Sequence, residues 1–327
     1  MGINIHLLLD RLVSFHRRKF SIMIFYIAFG LFIVAPHVLS PYIIYVVSYI
    51  MILALVASAL NITFGYGGML HLHIAVFFGI GAYTTALMLI GDLSPWLSFV
   101  AGPIMALLLG FIIGGIVIRV KGIYFGLLTI AVGQLVWAVV YRWRNFTGGD
   151  DGIHGLKGYL PDLITTSDGR YYFILAIFLI CVFIFYFITK SPFILTMVSY
   201  RDNPLRVESI GVNGKLQRLI AFSMSSFFAG IGGVLYVILE GSVYPSLLDF
   251  SFAIEIIIMC IFGGMGTFAG PYIGAAIVGL LTIYLGIYFE YWLFILGALL
   301  LLTILFMPFG IIGFVRKKAN TLLYVER

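Results

Sequence analysis

Residues 171–189 read YYFILAIFLICVFIFYFIT, and the next residue, Lys190, is the first charge after them. A helix needs about 20 predominantly apolar residues to cross the hydrocarbon core of a bilayer, and this run is close to that length. It is one of many. Comparable stretches lie near 20–39, 42–64, 70–90, 95–118, 122–143, 218–239, 251–268, 270–289 and 290–308. Together they predict an all-α polytopic membrane protein of about ten transmembrane helices. Two regions are less regular. The stretch 70–90 is interrupted by Gly79 and Gly81, and Gly263, Gly264, Gly266, Gly270 and Pro271 crowd the junction between two later spans. A helix break at membrane depth is tolerated only where protein or a water-filled cavity satisfies the freed backbone groups, so both regions are candidates for the wall of a pathway.

Composition gives the same answer. The 327 residues are 62% hydrophobic and 10% charged, with a mean hydropathy of +1.14, whereas an ordinary soluble domain is about a quarter charged. So few charges cannot cover the surface of a soluble protein of this length. The net charge of +6 belongs to basic residues that flank apolar runs, the pattern of topology signals and not of a nucleic-acid surface. Cys181 and Cys260 both lie inside apolar runs with no second cysteine or histidine at ligand spacing, which argues against a metal site or a disulfide. The stretch after Arg17, Arg18 and Lys19 is near spanning length and has no small-residue cleavage site behind it, so it is expected to be retained as the first helix.

Threading these spans with the N-terminus in the cytoplasm tests the assignment, because basic residues should collect inside. Only Arg142, Arg144, Lys157 and Arg170, four of the 19 basic residues, fall outside. The outer side instead receives Asp92, Asp150, Asp151, Asp162, Asp168, Glu240, Asp249 and Glu290. The division is then a cytoplasmic segment 1–19, a single transmembrane domain 20–308 and a cytoplasmic tail 309–327. The long outer connection, about 144–170, contains Thr147-Gly148-Gly149-Asp150-Asp151-Gly152, a turn-rich run that cannot be helical throughout.

The inner connection, about 190–217, holds the most informative local pattern. Asn203 is a good N-cap, Pro204 suits the first helical position and Gly211 suits the residue just past the end, which predicts a helix over 204–210. Two turns are marginal in water, so the element must pack against something. Leu205, Val207 and Ile210 offer apolar contact, Arg206 and Glu208 offer charge. A capped surface helix joining two spans and a docking knob for a cytoplasmic partner both fit.

Five segments together carry a family resemblance: NITFGYGGMLHLHIAVFFGIGAY (61–83), KGIYFGLLTIAVGQ (121–134), RWRNFTGGDDG (142–152), RDNPLRVESIGVNGKLQRLIAFSMSSFFAGIGGVLY (201–236) and EIIIMCIFGGMGTFAGPYIGAA (255–276). In this order they resemble the LivM-like permease subunits of branched-chain amino acid ABC importers. The resemblance implies a type II ABC-importer-like permease in a prokaryotic cell membrane, paired with a sister permease, usually as a heterodimer. It also implies two cytoplasmic ATPase subunits that hold the ATP and magnesium, an extracytoplasmic solute-binding protein, and no cofactor in this chain. Segment 202–212 looks like the ATPase-coupling loop of the family, which places Asn203, Pro204, Leu205, Arg206, Val207, Glu208, Ile210 and Gly211 in that role. Ser209 and Ile210 stand where the family pattern has two alanines. Within Gly68 to Phe77, Met69, His71, His73 and Ile74 stand where the family commonly has Gln, Ser, Gly and His.

Several residues are candidates for the substrate pathway. Glu255 is the acidic residue placed well inside a span, and an intramembrane carboxylate is a functional candidate by default; helix packing is its competing role. His71 and His73, two residues apart, would point about 200° apart on a helix and could not chelate one metal together. Gly79 and Gly81 fit either close helix packing or a pathway. Tyr83, Thr129 and Gln134 are polar groups on apolar spans, suited to a pathway or to interhelical hydrogen bonds. Gly211-Val212-Asn213-Gly214-Lys215-Leu216 lacks the glycine spacing and the Ser/Thr of a phosphate loop, and no paired carboxylates, metalloprotease motif or nucleophile elbow appears in a pocket-forming context. An enzyme is therefore not expected. The reading is a permease that moves branched-chain or other small apolar amino acids, or amides, by alternating access. The alternative is a self-sufficient secondary transporter or channel with Glu255 as its ion or proton site.

Overall fold

The computed structural model describes residue 36 and residues 38–289, 291–306 and 310–314. The expected segment 1–19, the span near 20–39 and the tail 309–327 fall wholly or largely outside the described residues. The chain divides into two units, Met1–Tyr45 and Val46–Arg327. The first is described only from Pro36 on, and the sites below belong to the second.

The helices are α1 (Pro41–Asn61, running through the unit boundary), α2 (Ala75–Ile90), α3 (Pro95–Val117), α4 (Ile123–Arg142), α5 (Ser167–Lys190), α6 (Pro192–Asp202), α7 (Pro204–Ser209), α8 (Gly214–Glu240), α9 (Phe250–Gly263), α10 (Gly270–Tyr288) and α11 (Trp292–Phe306). A π-helical segment, Ile62–Tyr66, extends α1. Among the described residues, six helices are long and apolar enough to cross a membrane: α1 with its extension, α3, α4, α5, α8 and α10. Among the described residues the β structure is limited to an isolated bridge between Ile153 and Val243.

Two expected spans are shorter than their apolar stretches. The helix in 70–90 starts only at Ala75, and the one in 251–268 stops at Gly263. At 1.5 Å per residue α2 and α9 are about 24 and about 21 Å long, short of the roughly 30 Å of hydrocarbon. The missing length is made up by non-helical chain. Residues 67–74 lead into α2 through Gly68, whose φ of +61° favours glycine, and residues 264–269 lead out of α9. Hydropathy could not reveal this, because an apolar residue scores alike in helix or extended chain.

The core is built by α2, α3 and α8, which approach closely because glycines face one another. A Cβ at Gly81 would meet the backbone of Gly230, and one at Gly233 would meet the Phe78 carbonyl and the Ala82 amide. Small residues at helix crossings supply close van der Waals packing where lipid provides no hydrophobic drive between helices. Gly79 belongs to the same layer, its missing Cβ leaving space for Leu248. On the opposite side α3 exposes Val100, Leu108, Phe111, Ile112 and Ile116, an apolar face suited to hydrocarbon. An apolar cleft of about 310 Å³ opens between α3, α5 and α8, lined among others by Phe99, Phe173 and Phe227.

The connection 144–170, expected on the outer side, is a compact cap of single turns. Arg144–Thr147 makes one α-helical turn, followed by short 3-10 turns at Gly149–Asp151, Leu156–Tyr159 and Asp162–Ile164. Thr147 donates to the carbonyls of Val140 at 2.6 Å and Trp143 at 2.8 Å. Leu156 and Ile164 are fully buried, and the Ile153 and Leu156 amides donate to the carbonyls of Val243 and Gly241. This fixes the cap to the end of α8.

The glycine packing makes a paired prediction. Gly233→Ala should reduce the yield of folded, detergent-extracted monodisperse protein severalfold, because the added methyl meets backbone. Gly115→Ala, where a Cβ meets nothing within 4 Å, should be neutral or raise stability by up to about 1 kcal/mol. Size-exclusion profiles and thermal unfolding in detergent check both.

Candidate functional site

The two helix breaks meet. Asn61, buried at the end of α1, reaches the second break with both atoms of its carboxamide: its Oδ1 accepts from the Gly266 amide at 2.8 Å and its Nδ2 donates to the Thr267 carbonyl at 2.9 Å. Gly65 lies against this contact, since a Cβ there would meet Asn61 Oδ1 and Gly266 N. Thr267 supports its own turn by donating to the Gly264 carbonyl at 2.8 Å and accepting from the Gly270 amide at 3.1 Å.

The first break is held from several sides. The Met69 amide donates to the Thr63 carbonyl at 2.9 Å. The Leu72 amide donates to Thr129 Oγ1 at 3.3 Å, and that hydroxyl donates to Gly126 O at 2.7 Å. Arg201 of α6 donates from Nη1 to the Gly65 carbonyl at 2.9 Å. Arg218, buried near the start of α8, donates to Met69 Sδ and to Ile118 O, each at 3.3 Å, and its guanidinium carbon lies 5.3 Å from the Phe125 ring centre.

His71, His73, Thr129 and Gln134 come together around the first break. His71 and His73 do not lie on a helix, so the helical spacing argument does not describe them; they sit on the non-helical stretch 67–74. Both are buried. His71 Nδ1 lies 3.4 Å from Thr63 Oγ1, whose own proton goes to Leu60 O at 3.0 Å. His73 Nε2 lies 3.4 Å from Gln134 Nε2. The remaining ring nitrogens, His71 Nε2 and His73 Nδ1, have no hydrogen-bond partner. Both imidazoles line a cavity of about 10 Å³ with Phe77, Ile113, Thr129 and Phe222, room for about one water. Among the described residues no cluster of three metal-ligating side chains exists.

The other candidates lie apart. Gly81 lies at the crossing with Gly230 of α8, and Gly79 packs against Leu248 of the 3-10 turn Pro245–Leu248. Tyr83 is buried with its hydroxyl unpartnered. Glu255 is buried on α9, its Oε1 without a partner, and Thr282 of α10 is the polar side chain beside it.

The inner connection forms the knob that its capping residues predict. Asn203 Oδ1 accepts from the Arg206 amide at 3.2 Å, and α7 runs from Pro204 to Ser209, one residue short of the expected end. Gly211 adopts φ +87°, and the Val212 amide returns to the Val207 carbonyl at 3.3 Å. Asn213 then caps α8 through the Leu216 amide at 3.1 Å. The three apolar residues divide: Val207 is buried, whereas Leu205 and Ile210 are 78% and 75% exposed. Glu208, itself exposed, accepts from the Tyr200 hydroxyl of α6 at 3.0 Å. Burial, together with the hydrogen bond to Glu208 and its charge, pushes the Tyr200 phenol above its ordinary value, so it remains a donor throughout the physiological range.

Sequence reading missed Asn61, Arg201 and Arg218. The available signal was a polar residue at the edge of an apolar span. Their partners lie from 100 to 206 residues away in the chain, which no local spacing exposes.

Residues 42–304 match the family described as the branched-chain amino acid transport system permease component. Among curated relatives, the high-affinity branched-chain amino acid transport system permease protein LivM of Escherichia coli strain K12 is 25% identical over 294 residues, covering 82% of this chain and 69% of the relative. LivM of Salmonella typhimurium strain LT2 is 25% identical over 296 residues with the same shares. The guanosine ABC transporter permease protein NupQ of Bacillus subtilis strain 168 is 29% identical over 176 residues, 48% of this chain and 54% of the relative. No solved structure matches. The match over most of the chain, on an all-helical polytopic scaffold, places this protein among the multi-pass membrane permeases of ABC transporters: it belongs to the family of branched-chain amino acid transport system permease components.

Proposed function

We propose that this chain is one of two permease subunits of an ATP-driven importer for branched-chain or other small apolar amino acids, or amides, in a prokaryotic cell membrane. The observation that carries this reading is the knob. A six-residue helix capped at its start and closed by a left-handed glycine presents Leu205 and Ile210 outward, whereas Val207 and Glu208 hold it to the body. An exposed apolar pair on a rigid, charged-rimmed element suits a protein partner. With both termini and the knob in the cytoplasm, that partner is an ATPase subunit, one on each permease. ATP and magnesium stay on those subunits, and this chain performs no catalysis itself.

Transport then proceeds by alternating access. ATP-driven closure of the two motors would move the knobs, and the broken helices, held by a few polar contacts, would open the pathway to one side and then the other. Solute passes between this chain and a sister permease, with selection made by an extracytoplasmic solute-binding protein that docks on the outer cap. The His71, His73, Thr129 and Gln134 cluster offers donors and acceptors beside that route. Because NupQ is a guanosine permease by name, nucleosides belong in the solute panel with leucine, isoleucine, valine, other amino acids and small amides. A second reading, a self-sufficient transporter, draws on Glu255, a buried carboxylate whose Oε1 has no partner.

Purification with the native neighbours separates the two. Co-purifying ATPases, and uptake into proteoliposomes that stops when those ATPases are inactivated, fit the importer; gradient-driven uptake by the isolated chain that Glu255→Gln abolishes fits the second reading. Within the importer, Leu205→Asp or Ile210→Asp should weaken ATPase association by about 30-fold, the effect of losing about 2 kcal/mol at an interface anchor, with membrane insertion unchanged. Pull-down titration measures it. Tyr200→Phe should leave association nearly intact but speed amide exchange across 204–209 about fivefold, as expected for the loss of about 1 kcal/mol of hydrogen bonding; hydrogen-exchange mass spectrometry reads that change.

A further inference from the structure

We propose that Arg201 is a positioning residue that transmits movement of α6 and α7 to both helix breaks, an inference that rests on the ATP-driven reading above. The Gly65 carbonyl is released from regular helical pairing as the chain turns at Gly67 and Gly68, and a buried carbonyl so released needs a donor from the protein. Arg201 supplies it at 2.9 Å across 136 residues of sequence. A charged donor makes this one of the stronger kinds of hydrogen bond. The guanidinium is also oriented, because its Nε pairs with Asp202 Oδ1 at 3.1 Å. Its stem lies on the break itself: a Cβ at Gly68 would meet Arg201 Cγ and Cδ.

Gly65 is thus gripped on two sides. Its carbonyl is held by Arg201, and its Cα packs against Asn61 Oδ1 and Gly266 N, where Asn61 binds the second break. On the other flank of Arg201, Tyr200 holds the knob through Glu208. The path from the exposed docking residue Leu205 to Gly266 therefore consists of short helix and three side-chain hydrogen bonds. A shift of the knob reaches both breaks along this path for as long as its three hydrogen bonds hold. Arg201 touches neither solute nor nucleotide in this scheme; it acts through Gly65.

The test uses the complete transporter, with its native partner subunits, in proteoliposomes. Two readouts are followed: solute imported per ATP hydrolysed, and the rate at which maleimide labels Met265→Cys with and without a non-hydrolysable ATP analogue. Both cysteines of this chain are buried, so labelling read on this subunit after its separation from the partners reports the introduced thiol, at a site 42% exposed. Arg201→Gln should lower the solute-to-ATP ratio about tenfold, the scale of losing one hydrogen bond to a charged group, and abolish the effect of nucleotide on labelling. Arg201→Lys, which keeps the charge without the planar fork, should lie between it and the unsubstituted transporter in both. An assembled Arg201→Gln complex with an unchanged ratio and a preserved labelling response overturns the proposal. If Arg201→Gln does not assemble, the same readouts on Arg201→Lys decide, and failure of Arg201→Lys to assemble points to a purely structural role and equally overturns it. An unsubstituted transporter without ATP-driven uptake refutes the importer reading instead, a result distinguishable from failure of Arg201 alone.

Discussion

Inside hydrocarbon a backbone N–H or C=O that leaves a helix has no water to turn to, and leaving it unpaired costs several kcal/mol. This protein breaks its helices in two places, so the identity of the groups that fill those vacancies shapes everything near them. Thr129 serves the Leu72 amide, Arg201 the Gly65 carbonyl, and Asn61 both the Gly266 amide and the Thr267 carbonyl. Each of these side chains comes from a different helix. The breaks are therefore stitched to the surrounding helices and to each other, and cannot rearrange independently.

The helices around the breaks differ in how they are held. Continuous, glycine-packed helices form a stiff core of α2, α3 and α8, in which backbone meets backbone and little adjustment is possible. The first broken segment lies against α8 through Arg218 and Phe222, and both segments are held by a few polar contacts, the kind of element from which moving parts are drawn. The knob formed by α7 is joined to the same contacts through α6.

Much of this was legible in the sequence. The membrane class followed from hydropathy, and the knob from Asn203, Pro204 and Gly211, because capping chemistry is local and its partners lie within a few residues. The five family segments were enough to indicate the permease family. What stayed hidden was long-range or non-helical. The apolar run 70–90 gave no sign that its first residues are extended, and so the helical geometry assumed for His71 and His73 did not apply. Glu208 could be placed in the knob, but its contact with Tyr200 depends on how α6 folds back. Asn61 lay at the edge of a recognisable segment, yet its role exists only because Gly266 arrives from more than 200 residues away.

Asn61 fastens the two helix breaks together. Residue-resolved hydrogen exchange of the Gly266 amide, compared between the natural sequence and Asn61→Ala in lipid nanodiscs, tests it most directly. Strong protection that falls by about tenfold or more on substitution, the scale of one hydrogen bond left unmade, is the predicted result; a Gly266 amide that exchanges as fast as an open loop in the natural sequence, or equally slowly in both proteins, would contradict it.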